Sequence, residues 1–444
     1  MKRIVLCSVL AVSLARGQGI QQLSLEDALR IGRENSKALR IAGLRVDAAS
    51  AKSGEANTAL LPSIKFEGSY KRQSDIGTSA VSVPFLPSPI VISPDITNAY
   101  YLRLGLQQPL FTGFKLISNA RAAARLAEAS EADRRESEAD VTLSISTAYW
   151  MLYQAIETAK YVDENVDRLS SYVEDTQNLM KAGLVTRNDF LKIQVQLSNA
   201  RLSQIDAAND VEVATMRLDN VMGQSVDSLI HPVSTPEVPE SGGADSSRVM
   251  AEAPAALLLD RAMSNRPDLL AMNNRVEASR AGATAARGGW WPQIALTANY
   301  FYSRPNQRFL PLQDEFKGTW EVGIAMQLDV WNWGATLFQT EQSLSQVSQN
   351  EELLEQMRDN ATLEVRKNQL DVRRAAKRID VAREAIEQAE ENSRSINEKY
   401  RNGLATSTDL LDASLAVLQA KTSYTGALVE HQIALARLDK SIGK

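Results

Sequence analysis

"YRNGLATSTDLLDA" (Tyr400–Ala413) reads as the end of one helix, a turn and the start of another, and the chain nearly repeats it at "MKAGLVTRNDFLKI" (Met180–Ile193). Gly183 and Gly403 suit the left-handed residue that follows a helix C-terminus. Thr186 and Thr406, each with an aspartate three residues on (Asp189, Asp409), suit capping boxes. One hairpin written twice points to a duplicated chain, so the search moves outward for other echoes.

They are present along the whole length. "NSKALRIAGLRVDAASA" from Asn35 matches "NRPDLLAMNNRVEASRA" from Asn265, and "LLPSI" at Leu60 matches "WWPQI" at Trp290. Gly183 then pairs with Gly403, Leu218 with Leu438 and Gly223 with Gly443. The spacing shortens between Pro62 and Pro109. This predicts a first repeat in residues 18–223 and a second in 257–444, joined by a Pro/Ser/Gly-rich linker over 224–256. Residues 1–17 read as a signal peptide: Lys2 and Arg3 precede an apolar run from Ile4 to Leu14, then Ala15-Arg16-Gly17. That run is too short to span a bilayer as a helix, which takes about 20 residues. It also holds Cys7, the single cysteine, so the exported chain is expected to lack disulfides.

Within each repeat the hydrophobic period changes. Strict alternation predicts strands over about 63–72, 100–109, 293–303 and 319–330. One face carries Ile64, Phe66, Tyr70, Tyr100, Leu102, Leu104, Leu106, Ile294, Leu296, Tyr300, Trp320, Val322, Ile324, Met326 and Leu328. The other carries Lys65, Glu67, Arg103 and Gln107. About ten residues is the length of a tilted membrane strand, and Tyr70, Tyr100, Tyr302 and Trp320 near the loop ends fit an aromatic girdle, so the apolar face is expected to meet lipid. Four strands are too few to close a barrel, which implies several subunits. The helical parts show steps of three and four, as at Ile145, Ala148, Leu152, Ala155, Ala159, Val162, Val166, Leu169, Val173, Thr176 and Met180. Runs from Gly113 to Ala182 and from Gly334 to Asn402 predict helices of roughly 100 Å, with shorter helices (Leu25 to Leu60, Asn188 to Met222) stacked beside them. The tip turns, about 181–189 and 401–409, then lie at the ends far from the strands.

Other function classes find little here. The net charge is −5 and no basic face for nucleic acid stands out. His231 and His431 are the only histidines, and no phosphate loop, nucleophile elbow or metal-ligand spacing occurs, so no enzyme, cofactor or metal is expected.

The duplicated plan, "QQPLFTG" (Gln107–Gly113) and "LDVWNWG" (Leu328–Gly334) between strand and long helix, and the paired tip hairpins together resemble the outer membrane efflux protein family, the TolC-like channel-tunnels. The resemblance covers essentially the whole chain after residue 17. It implies a mainly α fold with a membrane β-barrel: a homotrimer with a 12-stranded barrel in the outer membrane of a Gram-negative-type cell and a 12-helix tunnel through the periplasm. It implies passive export with a periplasmic membrane-fusion adaptor and an inner-membrane pump of RND, ABC or MFS type. By position it makes Asp189, Lys192, Tyr400, Asp409 and Asp412 tip gate or selectivity residues, and Gly183-Leu184 and Gly403-Leu404 adaptor-docking turns. A basic residue that some members carry two places after the second glycine is Ala405 here, so the resemblance does not carry over a complete Tyr and Arg latch across the tip. The alternatives are a periplasmic structural coiled coil, which would be soluble and monomeric, and a general diffusion porin, which would conduct without an adaptor.

Overall fold

The computed structural model describes residues 21–75, 77–81, 84–85, 87, 90–93, 95–225, 230–236, 253–310 and 312–444. The expected signal peptide, with Cys7, and most of the expected linker lie outside them. The described chain forms two compact units. One holds residues up to 42, 134–267 and 358–444; the other holds 43–133 and 268–357.

The second unit is built on a four-stranded antiparallel sheet of β2 (Ser63–Arg72), β5 (Asn98–Thr112), β7 (Gln293–Arg304) and β8 (Lys317–Gln327), paired in that order. Directly opposed residues of an antiparallel pair lie on one face. The register sets Phe66 against Leu104, Leu104 against Tyr300, and Tyr300 against Trp320; Ile64, Leu106, Ala298 and Val322 form a second such row. The large apolar residues are therefore continuous on one face, and Phe66, Val322, Ile324 and Met326 on it are exposed. Leu296 faces Gln108 in this same register, and a bulge between Pro109 and Phe111 then shifts the end of β5, setting Ile294 against Phe111. On the opposite face charges alternate across the sheet. Arg103 bonds Glu67 at 3.2 Å and Asn299 at 2.9 Å, and Asn299 donates to Glu321 at 3.1 Å.

The expected strand over 319–330 is corrected at its end. β8 starts at Lys317 and stops at Gln327, because its partner β7 begins only after Pro292, at Gln293 opposite Gln327. Leu328 thus follows the strand instead of belonging to its face. Two short pairs escaped the alternation: a hairpin of β3 (Ser79–Val81) with β4 (Ile90–Ser93), and a parallel pair of β1 (Gln21–Leu23) with β6 (Ile230–Pro232).

β1 and β6 belong to the first unit, where Tyr149 anchors them. Its buried hydroxyl donates to Leu23 O and accepts from Ser234 N, each at 2.9 Å. Around it pack Ile145, Trp150, Leu152, Leu218, Met222, Val429 and Ile433. The long helices are α3 (Lys115–Lys181) and a later helix at Ala335–Arg401, each of 67 residues and both crossing from one unit into the other. The span expected as one helix from Leu25 is two, α1 (Leu25–Asn35) and α2 (Lys37–Thr58). Ser36 ends the first and its hydroxyl accepts from Leu39 N in the second. The second repeat breaks likewise between α5 (Ala255–Asn265) and α6 (Pro267–Arg287), where Arg266 precedes a proline and is held extended. At each break another helix terminates: Gly223 after α4 (Arg187–Met222) lies against Asn35, and Gly443 against Asn265 and Arg266, too close for any Cβ. With the later helices numbered α7 (Ala335–Arg401) and α8 (Ser407–Ser441), each repeat places two short helices against a long one.

Candidate functional site

Both tip hairpins lie in the first unit, which brings them together. α3 and α7 end alike: Gly183 and Gly403 take φ of 76° and 71°, and Leu184 N and Leu404 N reach back to Leu179 O and Lys399 O at 3.0 and 2.8 Å. The paired bonds satisfy carbonyls that a helix terminus otherwise leaves open. Leu184 and Leu404 are left exposed at the apex of each turn, 68% and 78% accessible. Such apolar side chains at two adjacent equivalent turns offer a partner a matched pair of contacts.

Thr186 and Thr406 then start α4 and α8 with complete capping boxes. Asp189 accepts from Thr186 N at 3.2 Å and from the Thr186 hydroxyl at 2.6 Å; Asp409 accepts from the same groups of Thr406 at 2.9 and 2.7 Å. Asp189 does more, because its other oxygen accepts from the Ser407 hydroxyl at 2.8 Å, which ties the first hairpin to the second. The Thr186 hydroxyl and then the Ser407 hydroxyl hold the Asp189 carboxyl below the usual carboxylate range. Thr406 does the same for Asp409.

Tyr400, expected at the closure, is placed differently: it is 3% accessible and packs with Leu169, Tyr172, Ile193, Leu197 and Leu410. Its hydroxyl shares a 2.9 Å hydrogen bond with Thr176 on α3, and burial pushes it above the ordinary tyrosine range. The position belongs to the apolar seam, which claims the ring and leaves only the hydroxyl to find a polar partner. Lys192 and Asp412 do share a place. Both line a groove of 560 Å³ between the starts of α4 and α8, with Asn188, Leu191, Gln196 and Leu415. Among the described residues no ion pair joins them, and Asp412 is exposed.

Four contributors were missed by sequence reasoning. Arg401 pairs with Asp175 at 3.0 Å, across the ends of α7 and α3. Thr176 and Ser407 supply the two hydroxyls just described. Only Thr176 left a trace, as the one polar residue in an otherwise apolar seam. At the sheet's other end Trp290, Trp291, Trp331 and Trp333 stand exposed beside the strand-to-helix corners, a second aromatic set opposite the Tyr-rich one at the loops.

A family model described as outer membrane efflux protein matches residues 29–224 and 258–444. Outer membrane efflux protein BepC of Brucella suis is 23% identical over 391 residues, 83% of this chain and 81% of that one. Toluene efflux pump outer membrane protein TtgC of Pseudomonas putida is 23% identical over 426 residues, 95% of this chain and 83% of its own. The crystal structure of the Campylobacter jejuni CmeC outer membrane channel superposes with a TM-score of 0.78 at 16% identity, over 94% of this chain and 85% of that one.

Proposed function

Because the chain belongs to the outer membrane efflux protein family and is an outer-membrane channel-tunnel component of tripartite efflux, we propose that its apolar sheet face meets lipid, its charged face lines the lumen and its paired turns receive a periplasmic adaptor. The family fold is trimeric, with three four-stranded sheets closing one barrel over a helical tunnel. The observation that carries the reading is the division of faces in β2, β5, β7 and β8, together with the outer edges of β2 and β8, which pair with no strand among the described residues. An exposed sheet edge and an exposed apolar face are both costly in water. Joining edges between copies removes the first, and lipid removes the second.

At the tip the reading assigns different work to the four acidic and basic positions. Asp189 and Asp409 hold the turns in shape through their caps. Lys192 and Asp412, free to face a passage, set the charge there, and Tyr400 positions α7 from within the core. An inner-membrane pump supplies the driving force, since the path through the tunnel is passive. One relative, TtgC, is named for a toluene efflux pump; by that similarity small apolar solutes are a natural first class to assay.

Single cysteines test the face assignment. In intact outer membranes Ile324→Cys should resist a water-soluble maleimide while Gln107→Cys reacts, provided both variants reach wild-type levels. Equal labelling of the two would mean that both faces see water, as in the structural coiled-coil alternative.

A further inference from the structure

The two repeats share one packing pattern, but each chain completes only one of its two copies. α3 and α7 begin at Lys115 and Ala335 and end at Lys181 and Arg401, so equivalent positions differ by 220 throughout the long helices, and the same spacing relates α4 to α8. Within the first unit α3 of the first repeat packs on α8 of the second. The Tyr161 hydroxyl meets Thr425 at 3.3 Å, Glu164 pairs with Lys421 at 3.1 Å, Gln154 Nε2 lies 3.5 Å from where a Cβ on Gly426 would stand, and Trp150 shares a core with Ile433.

Exchanging the repeats turns this contact into one between α7 and α4. The partners become Val381 with Ile205, Glu384 with Arg201, Arg374 with Asp206, and Leu370 with Val213. Each substitution is chemically matched. Val381, Ile205 and Leu370 are 68%, 66% and 62% accessible in the single chain, although large and apolar. Arg201, Asp206 and Glu384 have no ion-pair partner among the described residues, whereas Arg374 meets Asp371 and Glu430 at 3.2 Å within the chain and keeps 62% of its side chain accessible for a further carboxylate. Both derived charge pairs are opposite in sign, and their polarity alternates along each helix, so the match holds in the antiparallel sense that the template contact has.

We infer that this α7 edge docks the α4 edge of a second copy of the chain, in the register of the α3–α8 contact, with Arg374–Asp206 and Glu384–Arg201 as its ion pairs. The inference rests on the trimeric reading above and adds to it the surfaces that join the tunnel's subunits. Because one chain carries both edges, the contact is heterologous, and repeating it head to tail closes a ring. Charge complementarity selects the register, and the apolar pair excludes water between the ion pairs.

Two chains that each carry one cysteine provide the test. When Ile205→Cys and Val381→Cys chains are co-expressed, a short bis-maleimide should yield a two-chain adduct, and neither variant alone should give it. Trimers that form in the mixture without the adduct would overturn the interface. A parent chain that is monomeric in detergent would overturn the trimeric reading beneath it. A second arm works by charge: Arg201→Glu or Glu384→Arg alone should give trimers that dissociate in detergent conditions the parent withstands, and the two together in one chain should restore resistance. If the double variant is no more resistant than the weaker single, the two side chains do not meet.

Discussion

Asp189 is the residue on which the two hairpins converge, since one oxygen completes its own helix cap and the other accepts from Ser407 of the second repeat. Its lowered carboxyl pKa carries a definite pH dependence. A group that is more acidic when folded contributes stability above its unfolded pKa and loses that contribution as pH falls through the folded value. The hairpin contact should therefore hold at neutral pH and loosen below about pH 4, where an unperturbed aspartate titrates. Hydrogen exchange at the tip amides, followed from pH 7 downward, should show this acid loosening in the parent and a flatter profile in Asp189→Asn, which exchanges faster already at pH 7. Tyr400→Phe addresses the other residue whose position the structure revised. It removes the bond to Thr176 without emptying the core, and should cost about 1 kcal/mol of local stability. Tip exchange rising by roughly the corresponding factor, with conductance unchanged, would fit a positioning role; altered conductance with unchanged exchange would return the hydroxyl to the passage.

At the scale of elements, the turns and the strands make separate predictions. Gly403 needs a positive φ and has open space around it, so Gly403→Ala should cost about 1–2 kcal/mol through backbone strain alone. The damage should stay local, leaving trimers that form normally but crosslink poorly to an adaptor; normal crosslinking would show that the turn tolerates the strain. On the strands, Leu104→Arg points a charge to the apolar face and should cost about 2–4 kcal/mol near the membrane midplane, whereas Gln107→Arg lies on the charged face and should be tolerated. Equal outer-membrane yield would contradict that facing. The strands were legible because alternation reports the face of every residue at once, and the repeats doubled the signal. Leu328 misled because the pattern continued past the point where β7 has a partner to offer. The breaks at Ser36 and Arg266 were hidden by helical periodicity on both sides, although Pro267 marks the second. The β1–β6 pair was beyond reach, since three-residue strands have no period and their anchor, Tyr149, lies far away in sequence. Tyr400 was placed by analogy with a gate, although its equivalent 220 residues earlier, Met180, is a seam position.

For the whole molecule, threefold repetition multiplies whatever charge the tip presents. Three copies of Asp412 around a narrow passage would form an acidic ring that favours cations, with Lys192 in the same groove opposing it. Asp412→Ala should weaken cation selectivity and block by multivalent cations in planar bilayers, and Lys192→Ala should strengthen both. Unchanged reversal potentials in Asp412→Ala would place the selectivity elsewhere. All of this presupposes a membrane-embedded oligomer, and the mass of the detergent-extracted protein tests that most directly. Cells should be fractionated, the outer membrane solubilised, and the particle weighed by sedimentation with the detergent contribution removed. The account predicts that the protein is found in the outer membrane and weighs three times the chain; a single chain recovered from the soluble periplasmic fraction would contradict it.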